Sequence, residues 1–241
     1  MNRMHSFRRG VFLAAAFYVA LRCVAGVPGD PTGETILRNA EDRMAAVKDY
    51  TVNLAITADI DRLNVPPMNV RMYFKQPDKV HFDARGFAML PREGLALNIG
   101  KLRTRYTAGR VDRDSIDGIP LYRVTMVAKS ERTRIRSVTL YVHPERWTVE
   151  KLVTPQVNDR VMSASFRYTQ VQGLWLPQEM VAAFSTAPAD TVEPNPLDQA
   201  MPARPQQRPR TGTVTVHYSD YTVNTGLSDD LFKEEQGKSP D

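Results

Sequence analysis

The sequence predicts a mainly β fold with α: one broad antiparallel sheet with a continuous apolar face, covered by an N-terminal amphipathic helix. Two observations carry this. Apolar residues recur at alternate positions in segment after segment, with Thr, Asn, Arg, Asp, His and Ser between them. A two-residue period marks strands with one dry and one wet face. Ahead of the strands, Ile36, Leu37, Ala40, Met44 and Val47 form a single helical stripe, while Arg38, Glu41, Asp42 and Lys48 fall elsewhere. Such a stripe needs an apolar partner, which the sheet supplies.

The helix is expected from Asp30-Pro31, with Asp as cap and Pro at the first helical position, to about Lys48. Strands follow at Tyr50–Asp61 (Val52, Leu54, Ile56, Ala58), Asn69–Lys75 (Val70, Met72, Phe74) and Lys79–Arg85 (Val80, Phe82). Pro66-Pro67 and Gln76-Pro77-Asp78 separate them. Gly86 to Gly100 is apolar but irregular, and reads as a loop or short helix over the sheet. Leu102–Thr107 is read as a strand and Val111–Gly118 as a charged turn region. Further strands are expected at Leu121–Lys129, Arg134–His143, Thr148–Thr154, Arg160–Thr169, Leu176–Phe184 and Thr213–Val223. Gly118, Pro144-Glu145, Asn158-Asp159 and Gly173 supply the turns.

The ends and one insertion stand apart from this core. Residues 1–26 begin with Arg3, Arg8 and Arg9, continue through an apolar stretch from Val11 to Leu21, and finish in small residues. That is the layout of a secretory signal peptide, with cleavage expected near Ala25 or Gly26 and a periplasmic destination. Residues 27–232 are read as one domain. Within it, 185–211 hold six of the 17 prolines and read as a mobile loop insertion; 233–241 form a polar tail. The leader carries four of the 32 basic residues and none of the 27 acidic ones, so the remainder is near neutral at +1. A bulk preference for nucleic acid or acidic membranes is not expected. The sole cysteine is Cys23, within the leader, which leaves the rest without disulfide or thiolate chemistry.

Catalytic and metal motifs do not emerge. The sequence has no GxSxG elbow, no Walker or dinucleotide fingerprint and no HExxH. His81, His143 and His217 fall on the polar phase of their segments, either solvated or, less economically, converging on a metal. Arg103, Arg105 and Arg110 near Tyr106 are either a solvated face or a seat for an acidic head group. The expectation is a protein that is not an enzyme and uses no cofactor.

Several segments together resemble a known family. Arg71-Met72-Tyr73-Phe74-Lys75-Gln76-Pro77-Asp78-Lys79-Val80-His81-Phe82 resembles the strand, x-Pro, strand signature of the LolA-like periplasmic lipoprotein carriers and the wider outer-membrane lipoprotein-sorting group. Thr139-Leu140-Tyr141-Val142-His143-Pro144-Glu145 and Gly173-Leu174-Trp175-Leu176-Pro177 are similar to later steps of the same pattern. The resemblance spans roughly residues 30 to 232. It implies a curved, incomplete β-barrel with short lid segments and an apolar cavity between sheet and lid. It also implies a monomeric carrier of lipoprotein or lipid cargo, served by an inner-membrane transporter and an outer-membrane acceptor. The alternative is a non-transport lipid-binding or sensor module of the same fold that docks a protein partner. Candidate cavity residues are Leu54, Ile56, Met72, Phe74, Phe82, Met126, Leu140 and Phe166, with plain core packing as the competing role of each. Before the proline, where the family commonly has an arginine that latches the cavity, this chain has Gln76, which still donates hydrogen bonds but carries no charge.

Overall fold

The computed structural model describes residues 29–61, 63–83, 97–133, 135–155, 161–185 and 211–233. The expected leader, residues 86–96 of the expected Gly86–Gly100 cover, residues 186–210 of the proline-rich insertion and the tail beyond Lys233 lie outside the described residues.

Helix α1 (Gly33–Ala45) comes first, then β1 (Asp49–Ile60), the two-residue β2 (Leu63–Asn64), β3 (Met68–Lys75) and β4 (Lys79–Asp83). Helix α2 (Ile99–Arg105) leads directly into β5 (Tyr106–Ile116), and β6 (Ile119–Ala128), β7 (Ser137–Val142) and β8 (Val149–Pro155) follow. The chain continues with β9 (Val161–Val171), β10 (Leu174–Ser185), β11 (Thr211–Val223) and a 3-10 turn at Asp229–Phe232. Among the described residues, the strands form one 11-stranded sheet in the order β4-β3-β1-β11-β10-β9-β8-β7-β6-β5, with β2 against β1. All pairings are antiparallel, and the two end strands do not pair with each other, so the sheet does not close into a barrel.

The register explains the two-residue period. Ala58, Val214, Ala182, Ala164, Leu152, Leu140, Val124 and Val111 stand opposite one another in succession, a single apolar row crossing from β1 to β5. A one-residue slip anywhere would send a strand's apolar set to the wet face, so this row fixes the register. At the tight hairpins, Asp117-Gly118 and Gln172-Gly173 take positive φ at both residues (52° and 78° in each), the turn whose twist matches paired strands.

Three readings are corrected. The helix starts later than Asp30: Thr32 is its cap, its Oγ1 accepting from the Thr35 amide at 3.2 Å. Leu102–Thr107 is mainly the end of α2, because the Asn98 side chain accepts from the Lys101 amide at 2.8 Å and starts a helical turn. Val111–Gly118 is mostly strand: β5 runs to Ile116, and a one-residue bulge at Gly109-Arg110 hides its continuity.

The apolar face divides into two clusters. Ile36, Leu37 and Ala40 of α1, with Ile99 of α2, pack on Val124, Met126, Val138, Leu140 and Val142 of the β6–β7 region. Arg103 of α2 reinforces this by pairing with Glu34 and Glu41 of α1. The second cluster joins Val52, Leu54 and Ile56 of β1 to Met72 and Phe74 of β3, Phe82 of β4, Phe166, Met180 and Val216. The helices thus cover one half of the sheet, and the exit of α1 passes towards the other.

That exit is held firmly. Asn224 Oδ1 accepts from the Lys48 amide at 2.8 Å, and its Nδ2 donates to the Ala46 carbonyl at 3.2 Å. The buried Asp49 carboxylate accepts from the amides of Thr225 at 2.8 Å and Gly226 at 3.0 Å. Asn224 and Gly226 both take positive φ, which turns their neighbours' amides towards these acceptors.

Candidate functional site

An apolar cavity of about 60 Å3 lies where the two clusters meet. Its helix side is Ala40, Arg43 and Met44 from the last turns of α1, followed by Val47. Its sheet side is Tyr50, Phe74, Phe166, Tyr168 and Leu176. Trp147, Thr148 and Val149 from the β7–β8 corner, and Trp175 and Pro177 from β10, complete the wall.

The sheet wall is aromatic. Tyr50 stacks on Phe74 at 4.9 Å between ring centroids and meets Tyr221 edge-on at 5.5 Å. The Tyr168 hydroxyl donates to the Val149 carbonyl at 2.9 Å, and that of Tyr221 to the Pro177 carbonyl at 2.7 Å. Burial pushes the phenols of Tyr50, Tyr168, Tyr218 and Tyr221 well above their ordinary range, so they stay neutral. With its hydroxyl bonded to the backbone, Tyr168 presents its ring to the cavity as apolar surface. Arg43 is the one charged residue among the described residues lining the cavity; Asp and Glu are absent from that set.

Trp147 reaches the wall through an uncommon backbone. The β7–β8 corner closes by the His143 amide donating to the Thr148 carbonyl at 2.9 Å and the Trp147 amide to the His143 carbonyl at 3.0 Å. The His143 Nδ1 accepts from the amides of Glu145 and Arg146, each at 3.2 Å. The corner leaves Trp147 at φ +57°, the left-handed region normally given to Gly or Asn. Its ring stacks on Tyr122 at 6.2 Å.

Beside the cavity lies a wider, more polar groove of about 440 Å3, lined by residues including Glu41, Asp78, Asn98 and Lys101. Met44, Phe74, Gln76 and Leu97 belong to both spaces. Gln76 is fixed between them: its amide donates to the Lys48 carbonyl at 2.8 Å, and its Nε2 to the Met44 carbonyl at 3.2 Å. It ties the end of β3 to the last turn of α1.

Of the sequence candidates, Phe74 and Phe166 line the cavity. Met126 and Leu140 sit in the cluster under α1, and Leu54, Ile56, Met72 and Phe82 in the other, all within 6 % of full burial. The sequence reading missed Arg43, Tyr50, Trp147, Tyr168 and Trp175. The available signal was that the chain has two tryptophans, both beside turn motifs. Arg103 is engaged with Glu34 and Glu41, and Arg110 with Asp112 at 2.7 Å. The histidines are placed separately: His81 on β4, His143 capping its corner and His217 at 3.3 Å from Glu179. Among the described residues, no group of three or more His, Cys, Asp or Glu is placed to hold a metal, and no helix is long and apolar enough to cross a membrane.

Solved structures share this architecture. A DUF1329 family protein from Desulfovibrio piger superposes with a TM-score of 0.58 at 14% identity, over 86% of this chain and 98% of its own. A LolA superfamily protein from Nitrosomonas europaea gives 0.55 at 13%, over 86% and 99%. An outer membrane lipoprotein-sorting protein domain from Vibrio parahaemolyticus gives 0.53 at 10%, over 85% and 99%. No protein-family model and no curated protein matches the chain. The likeness is one of fold, and the fold is LolA-like.

Proposed function

We propose that this chain is a periplasmic carrier that holds the acyl chains of lipoproteins or other lipids and moves them towards the outer membrane. The observation that supports this reading best is the aromatic-walled cavity at the joint between α1 and the sheet. It lies in a fold shared with proteins described as LolA superfamily and outer membrane lipoprotein-sorting. An inner-membrane transporter and an outer-membrane acceptor are the partners that such a route requires. The reading involves no covalent catalysis.

Magnitudes decide what the cavity does at rest. A water-sized body needs about 10–15 Å3 on this measure, so 60 Å3 admits the end of one chain and no more. A longer tail needs the cavity to merge with the neighbouring groove, and the Gln76–Met44 bond lies between them. A neutral hydrogen bond contributes about 0.5–1.5 kcal/mol. Each buried methylene returns about 0.8 kcal/mol. Two methylenes therefore offset the latch, and a longer tail drives opening.

The test is to export the chain with its own leader, purify it without detergent, extract it and identify bound lipid by mass spectrometry. The expected result is acyl lipid or lipoprotein in stoichiometric amount. Protein that is lipid-free and fails to take up lipid from vesicles would overturn the reading.

A further inference from the structure

The carrier reading leaves open what kind of lipid end meets the cavity mouth. Arg43 narrows it. Exposed at the cavity mouth, it is the one charge among the described lining residues, and among the described residues it has neither an ion-pair nor a hydrogen-bond partner. Other arginines in the vicinity are engaged: Arg103 with Glu34 and Glu41, and Arg146 with Glu150 at 3.0 Å. A cation left without a carboxylate beside an apolar cavity favours an anion whose other end is apolar.

The flanks support the same occupant. Trp175 lies under the Arg146 guanidinium, 5.0 Å from the ring centroid, and the Nε of Arg146 is buried without a hydrogen-bond partner. Trp147 takes its place in the wall at positive φ, where a bulky side chain is strained. Tryptophan suits a position with one apolar side and one wet side. The cavity's 60 Å3 fits one chain end.

We propose that Arg43, which shares the cavity lining with Trp147 and Trp175, is the seat for the anionic head of a single-chain amphiphile, a carboxylate or a phosphate monoester, whose tail enters the cavity. This rests on the lipid-carrier reading and adds the head group to it. Neutral or cationic amphiphiles of equal length lack the ion pair and bind more weakly.

The chain provides its own reporter, since both of its tryptophans line the cavity. The exported full chain is titrated below micellar concentration with dodecanoate, dodecyl phosphate, dodecanol and dodecyltrimethylammonium, following tryptophan emission, with inorganic phosphate as a further arm. Both anions are expected to bind at least tenfold tighter than dodecanol. Arg43→Gln should abolish that ratio, a loss of about 1.4 kcal/mol, with dodecanol binding unchanged, whereas Arg43→Lys should keep most of it. Arg38→Gln, on another face of α1, should behave as the parent. Preference for one anion over the other assigns the head as carboxylate or phosphate. Dodecanol matching the anions, Arg43→Gln weakening every probe equally, or inorganic phosphate binding as well as dodecyl phosphate would overturn the head-group seat and leave the carrier reading standing. If no amphiphile binds, the carrier reading falls and the seat with it.

Discussion

Filling the cavity separates a binding site from a packing defect. Ala40 lines it, is 1 % exposed, and lies in the middle of α1. Leucine is nearly as good a helix former as alanine, so Ala40→Leu perturbs volume more than helix. The gain has two independent scales. A residual cavity costs about 24 cal/mol per Å3, so occupying all 60 Å3 is worth about 1.4 kcal/mol. Three added carbons at about 0.8 kcal/mol each give a ceiling of about 2.4 kcal/mol if none is strained. We therefore expect Ala40→Leu to raise stability by about 1–2 kcal/mol in urea unfolding, or roughly 3–6 °C in Tm for a domain of this size. Binding should change in the opposite sense. A ligand present at about one hundred times its Kd stabilises the parent by about 2.7 kcal/mol, and that increment should vanish in the filled variant. An Ala40→Leu protein that still gains ligand stabilisation would refute the placement of the tail. So would one destabilised by more than about 2 kcal/mol, since the space would then not be free.

Gln76→Ala removes the bond to the Met44 carbonyl and should cost about 0.5–1.5 kcal/mol, with faster amide exchange over 45–48 as the readout. Gln76→Arg should slow ligand release measured by stopped-flow, because a charged donor to the same carbonyl is stronger. Asp49→Asn replaces a buried carboxylate that accepts from the Thr225 and Gly226 amides, so a loss of about 1.5–3 kcal/mol is expected from urea curves. Burial, with Arg146 nearby, lowers the pKa of His143, whose Nδ1 must stay unprotonated to accept two amides. Its contribution is therefore present above the unfolded value near 6.5 and is lost as pH falls through the lower folded value. Tryptophan emission should report loosening of the Trp147 corner in that window, and His143→Gln should remove the pH dependence.

The sheet was legible because its signal is local and repeated. The row from Ala58 to Val111 is built of residues whose alternation any single strand displays. The α2–β5 junction was not legible. Leu102 to Thr107 carries apolar residues at spacings that suit either period, and the outcome turned on one capping side chain, Asn98. The cavity was still less so. Leu54 and Phe74 share a phase on paired strands and a buried cluster, yet only Phe74 borders the cavity. Alternation tells which face is dry but not which part of that face the helix leaves uncovered. Arg43 was hidden for the complementary reason, as a polar residue on an amphipathic helix is ordinarily solvated.

Two unfavourable terms coincide at this place in the fold, and their coincidence argues against chance. An empty apolar volume of 60 Å3 costs about 1.4 kcal/mol in lost packing. A tryptophan at φ +57° costs a further 1–2 kcal/mol or so in backbone energy. Together they approach 3 kcal/mol, a large share of the 5–15 kcal/mol that typically holds a domain together. Either could be relieved by a single ordinary substitution, a larger residue at Ala40 or a glycine at Trp147. The other non-glycine residues at positive φ, Asp117, Gln172, Asp220 and Asn224, are small or unbranched polar side chains, so Trp147 is the one bulky ring held there among the described residues; the apolar row, by contrast, is packed to near-complete burial at Val124 and Leu140. A bulky ring held at positive φ beside a retained void is the pattern of a site kept for an occupant. The two measures are also separable by experiment. Trp147→Gly should regain the backbone term but lose the Tyr122 stack, worth about 0.5–1.5 kcal/mol, along with the ring's buried area. Stability should fall despite the relief of strain, and amphiphile affinity should fall with it. If affinity is unaffected, Trp147 is only packing and the strain has another cause.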